Sequence, residues 1–154
     1  MASLSDYLES GLLHHIFRGE SFSKPSKIAI ALTSGVPQDS DTGFTIPELP
    51  SGINGSGTGY SRVDLKDPSV SGDLTWNYSS DDNAIGSGII KNASDLLFNQ
   101  ALLDWGWISG VAIVDTDNHQ SGNLLLHAQL DNPRIIYTGD SVKFSTTTLQ
   151  ISFK

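Results

Sequence analysis

Cysteine is missing from this 154-residue chain. No disulfide can staple it and no thiolate metal site can form, which fits assembly in a reducing cytoplasm. Basic residues are scarce. Nine Lys and Arg stand against seventeen Asp and Glu, a formal net charge of −8. Nucleic-acid binding leans on phosphate neutralisation, and no basic patch is present to supply it. No apolar run approaches the roughly 18–20 residues of a membrane span. The opening "MASLSDYLES" has neither a basic nor an apolar signal region, so a soluble chain without a signal peptide is expected. Solenoid-length repeats and coiled-coil heptads are also missing, and with them the material of a long fibre shaft.

Catalytic signatures are equally sparse. There is no G-x-S-x-G, no phosphate loop and no dinucleotide fingerprint. His14 and His15 are adjacent on a helix, point about 100° apart, and cannot chelate one metal. "DTDNHQSG" spaces its oxygen ligands like the start of a calcium loop. It places Gln120 where such a loop needs glycine, and Leu126 where it needs a bidentate Glu. Glu9, Glu20 and Glu48 lie outside the expected strands, and nothing selects a carboxylate pair. No cofactor, metal or catalytic residue is expected.

What is present reads as one domain over residues 1–154. Residues 1–20 form an amphipathic helix. Leu4, Leu8, Leu12 and Ile16 repeat every four residues, with Leu13 and Phe17 beside them. Ser5 is the expected N-cap, Gly19 the stop, and Gly11 makes the helix need a packing partner. Residues 28–154 read as short strands. In "KIAIALTS", Ile28, Ile30 and Leu32 take one face, and Ala29 and Ala31 the other. A long loop, Gly35–Gly59, holds three prolines and six glycines, and it carries Phe44 and Ile46. Ser94–Leu103 is a strand end or one helical turn. "WISGVAIVD" and "LLLHAQL" are strands, "DNPR" a break, and "RIIYT" a further strand. The alternation of Val142 and Phe144 resumes out of phase at Leu149, Ile151 and Phe153, so "STTT" holds a bulge or turn. The pattern predicts a mainly β fold: an antiparallel, jelly-roll-like β-sandwich with one N-terminal helix and an extended loop over 35–59.

"DWGWISGVAIVD" sets Trp105 and Trp107 two apart, and Trp76 and Tyr78 repeat the spacing. In an extended strand each pair shares a face. Such pairs stack sugar rings or fill a core. Either Val111 and Ile113 or Ile108 and Val114 face that core.

The order "SLSDYLESGLLHHIFRG", "KIAIALTSGVP", "GYSRVDL", "IIKNASDLLF", "DWGWISGVAIVD" and "SGNLLLHAQLDNPRIIYTGDSVKFSTTTLQISF" resembles a family of small tailed-bacteriophage virion proteins, often labelled phage tail fibre protein. The resemblance spans almost the whole chain. "GYSRV", the "WG" pair, "SGNLLLHAQL", "GDSVKF" and "LQIS" carry it best. It implies a non-enzymatic structural part of the virion, either a capsid decoration (cement) protein or a small tail-fibre or adaptor protein, assembled in the host cytoplasm. Its partners would be major capsid or tail proteins and further copies of itself, by analogy a trimer. The alternative is a carbohydrate-binding receptor module built on the Trp and Tyr pairs. Two departures stand out: the length of Gly35–Gly59, and Trp107 in place of a small polar residue. Trp105 is therefore expected to anchor the core and Trp107 to make an exposed contact. Leu8, Leu12, Ile16, Phe44 and Ile46 complete the expected protein-contact set.

Overall fold

A computed structural model describes residues 2–50, 57–66, 76–78 and 88–152. The strands are β1 (Ser3–Leu4), β2 (Ala29–Thr33), β3 (Val63–Asp64), β4 (Trp76–Tyr78), β5 (Ile89–Asn92), β6 (Leu96–Leu97), β7 (Gly106–Val114), β8 (Leu124–Ile136), β9 (Lys143–Phe144) and β10 (Gln150–Ser152), with one helix, α1 (Asp6–Phe17). They form open antiparallel sheets in the orders β1-β8-β7-β2-β3, β10-β5-β4 and β6-β9. The large sheet packs against the two small ones in a sandwich-like arrangement, as the alternating pattern predicts.

The main core lies between these layers. Ile30 and Leu32 of β2, Val111 and Ile113 of β7, and Leu125 and Leu126 of β8 meet Leu96 and Ile151 from the small sheets. Each such side chain gives about 1.5–3 kcal/mol on burial. The opposite face of the large sheet is covered too. Ala29, Ala31, Ala112, Val114 and Leu124 are sealed there by Ile46. Both faces of β7 are thus buried, with small residues where the covering chain comes close. Ile108 also reaches the main core, because the register slips between Ile108 and Gly110.

That slip corrects the reading of "DNPR" as a break. β8 runs on through it: Gln129 pairs with Gly110 and Arg134 with Ile108. Residues 130–133 therefore stand opposite Ser109 alone. Pro133 has no N–H to give a ladder, and a bulge asks for none.

The phase flip at "STTT" is a change of sheet. β9 pairs with β6, and β10 pairs with β5. Buried Asn92 holds the turn between them. Its side chain donates to the Ser145 carbonyl at 2.9 Å and accepts from Leu149 N at 2.9 Å. Ser94–Leu103 holds the short strand β6 and no helix.

The helix begins where Ser5 predicts. The Ser5 hydroxyl accepts from Leu8 N at 3.2 Å and donates to the Leu124 carbonyl, fastening α1 to β8. Beyond Arg18, Gly19 has φ +68 and ends the helix. The packing partner of Gly11 is the Phe22 ring, which a Cβ at residue 11 would strike.

Candidate functional site

Of the extended loop expected over Gly35–Gly59, residues 35–50 fold back on the subunit, and residues 51–56 lie outside the described residues. Ser34 N donates to the Pro47 carbonyl at 2.9 Å, Leu49 N donates to the Leu32 carbonyl at 3.2 Å, and Glu48 bridges to Thr33. The cause is a polar centre built on "GYSRV". Arg62 sends all five guanidinium N–H groups into hydrogen bonds: to both Glu48 oxygens at 2.8 Å, and to the carbonyls of Gly43, Thr116 and Ser121 at 2.9–3.0 Å. Tyr60 OH donates to Glu48 Oε1 at 3.0 Å and accepts from Leu32 N at 3.0 Å. Burial, with the Glu48 carboxylate beside it, holds the Tyr60 phenol protonated well above its usual range. His119 Nε2 lies 2.8 Å from the Leu49 carbonyl and closes the edge of this centre.

The centre clamps the turn Thr42–Ile46 against the β7–β8 hairpin. Gly43 N donates to the Gly122 carbonyl at 3.0 Å, and a Cβ on residue 43 would lie 2.1 Å from the Ser121 carbonyl oxygen. Only glycine fits there. Thr42 Oγ1 accepts from Phe44 N and Thr45 N, and Thr45 Oγ1 donates to Asp41 Oδ1. On this pinned backbone Phe44 points outward, 68% exposed. Ile46, two residues on, is 3% exposed and belongs to the second core cluster. Its expected role as a protein contact is therefore corrected: it seals its own sheet.

Trp105 and Trp107 do not share a face. Gly106 between them has φ +79, a left-handed conformation that breaks the strand alternation. Trp105 is 6% exposed, packs edge-on to Tyr60 at 5.4 Å, and donates its indole N–H to the Thr58 carbonyl at 2.7 Å. Trp107 is 51% exposed and stands directly opposite exposed Ile135 on β8. The sugar-stacking pair is therefore absent here. Trp76 is half-buried against the main core, and the Tyr78 side chain lies outside the described residues.

Along α1 the expected stripe divides. Leu8 packs on the core and Leu12 is half-buried, while Ile16 is exposed. Leu13 and Phe17, 76% exposed, join Ile16 at the C-terminal end of the helix. The four-residue period marks the helix but does not reveal that Leu13 and Phe17 stay on the surface. Ile135 in β8 and Tyr137, just past its end at Ile136, are exposed as well, which reading "DNPR" as a break conceals. His14 and His15 serve the return of the chain: His14 Nδ1 lies 3.2 Å from the Glu20 carboxylate, and His15 Nδ1 accepts from Phe22 N at 3.3 Å. Asp115 turns its carboxylate onto Asn123 N and Nδ2, both at 2.7 Å, and so closes the hairpin. Among the described residues, no three His, Asp or Glu side chains gather where they could hold a metal ion. No helix among them is long and apolar enough to cross a membrane.

None of the curated proteins compared matches the chain. The family described as Podophage GP4 fiber I protein gp80 matches residues 3–152. That span holds the Arg62 centre, the Trp105 anchor and the exposed Phe44 turn alike, and the chain belongs to this family of phage fibre proteins, components of the virion.

Proposed function

We propose that the chain is a non-enzymatic fibre subunit of the tail that works by gripping other virion proteins or further copies of itself. The observation that carries this is Phe44. A large aromatic side chain stands in solvent on a turn whose backbone is already fixed by a buried ion pair. A side chain held ready in this way loses little conformational freedom on docking, and aromatic anchors dominate protein interfaces. Two further apolar patches support the reading: Leu13, Ile16 and Phe17 at the end of α1, and Trp107 with Ile135 on the large sheet. The fibre description of the family is consistent with a tail-associated position. A closed symmetric oligomer, a trimer among the possibilities, suits such contacts.

Quantitative mass spectrometry of purified particles tests this. The reading requires the chain at a fixed copy number in intact particles, retained in tail fractions and absent from empty heads. Its absence from purified particles would end the proposal.

A further inference from the structure

Residues 3–22 form an arm that is bonded within itself and docks on the sheet at one end. After Gly19 the chain turns back along α1. Glu20 N donates to the His14 carbonyl at 3.3 Å, and Phe22 N donates to His15 Nδ1 at 3.3 Å. The Phe22 ring lies over Gly11 and 5.8 Å from the Tyr7 ring. Among the described residues, the hydrogen bonds that dock the arm all belong to its other end. Ser3 and Leu4 pair with His127 and Leu126. Ser5 N donates to the Leu125 carbonyl at 3.0 Å, the Ser5 hydroxyl donates to the Leu124 carbonyl, and Asp6 N donates to the Asp39 carbonyl at 2.8 Å. Leu4 and Leu8 pack on the main core, yet no residue of α1 is fully buried.

Between the arm and β2 runs a link, residues 23–26, that makes no hydrogen bond or ion pair among the described residues. Beyond it the chain is fixed again: Lys27 Nζ lies 2.7 Å from Asp117, and Leu65 N donates to the Ile28 carbonyl at 2.8 Å. Pro25 locks its own φ and disfavours helical geometry at Lys24, which keeps the link extended. Two bonded bodies thus meet through a link bonded to neither. Such a hinge lets an arm leave its own body and take the same seat on another copy, a low-cost route to joined subunits.

We propose that residues 3–22 are exchanged between copies, the arm of one copy docking on β8 of the next. This rests on the reading that the chain grips further copies of itself. The occupant of the seat is given by the chain: every docking bond made within one copy is available unchanged between two, so exchange gives up none of them. It also covers an apolar patch. Exposed Leu13, Ile16 and Phe17 lie within two turns of Gly11, beside which Phe22 leads into the link. Where two links cross, these side chains lie between copies instead of in water. Four extended residues span at most about 13–14 Å, so exchange is confined to copies in direct contact. Neighbours held side by side in a particle present the seat at high effective concentration.

The chain has no cysteine, so introduced thiols report on this without competition. Ser3 and His127 are direct ladder partners, with Cα atoms about 4.5–5.5 Å apart, within reach of a disulfide. Particles are assembled with an equal mixture of full chains carrying Ser3→Cys alone and His127→Cys alone. A closed arm sets each thiol against an ordinary residue, and only exchange brings the two thiols together. The expected result on oxidation is a covalent pair of unlike chains on a non-reducing gel, with the two substituted peptides joined in mass spectrometry. Ser10→Cys in place of Ser3→Cys should give no such pair. Where His127→Cys disturbs folding, Asp6→Cys and Asp39→Cys, at exposed side chains, form a second mixture bridged by a short bis-maleimide. Particles that hold both chains without a link between them, or equal linking from Ser10→Cys, would overturn the exchange and leave the fibre reading standing. Absence of the chain from particles would end both.

Discussion

Arg62 and Glu48 meet in a two-point ion pair with both side chains fully buried, Nε to Oε1 and Nη2 to Oε2 each at 2.8 Å. Pairing two charges out of water is not by itself stabilising, but removing one partner strands the other. Arg62→Leu leaves the Glu48 carboxylate buried without its counter-charge, and leaves the Gly43, Thr116 and Ser121 carbonyls without their donor. The expected loss is about 3–5 kcal/mol in urea unfolding. Residues 35–50 should become open to protease in the same variant. A loss below about 1 kcal/mol would mean that the pair does not hold the turn.

Ser5 joins a helix to a sheet through one hydroxyl. It caps α1 by accepting from Leu8 N and donates to the Leu124 carbonyl of β8. Ser5→Ala removes the cap and one bond to a buried carbonyl together. We expect a loss of about 1–3 kcal/mol, read from chemical denaturation. Ser5→Thr keeps the hydroxyl and should recover part of it. Equal stability of the alanine variant and the parent would contradict the described join.

Stability should fall in acid. The Thr146 backbone N–H, then Lys143 and the Thr146 hydroxyl, hold the Asp95 carboxyl below its ordinary value. The backbone N–H and hydroxyl of Thr138 do the same for Asp104, and a hydrogen bond from Lys27 does so for Asp117. A carboxyl lowered in the folded state takes up a proton less readily there than in the unfolded chain. Its contribution is therefore complete above the ordinary carboxylate range, near about pH 4, and is lost as pH falls through the lower folded values. Melting temperature measured from pH 6 to pH 2 should drop chiefly below about pH 4. The Asp95→Asn, Asp104→Asn double variant should show a shallower drop, and an identical acid profile would count against these bonds.

What was legible in the sequence was local or periodic. The Ser5 cap, the Gly19 stop and the two faces of β2 follow from neighbours within a few residues, and the structure has them. The division between Trp105 and Trp107 was legible in outcome only. The mechanism, a left-handed Gly106, was hidden by the assumption of an unbroken strand. What was not legible depended on distant partners. Nothing near Gly35–Pro50 reveals that Arg62 draws the segment down, and so Ile46 looked available when it is buried. Pro133 looked like a strand end because its fit depends on a bulge defined only by Ser109 across the ladder. Among the residues that carry the family resemblance, Tyr60, Arg62, Trp105 and Asn123 build the subunit.

The central claim is that Phe44, exposed in the free chain, is a contact in the assembled fibre. Hydroxyl-radical footprinting read by mass spectrometry compares the same side chain in both states. Ile46, buried in the single chain, serves as the internal reference. The account predicts strong labelling of Phe44 in the isolated protein, strong protection in the purified particle, and little labelling of Ile46 in either. Equal labelling of Phe44 in the free protein and in the particle would contradict it.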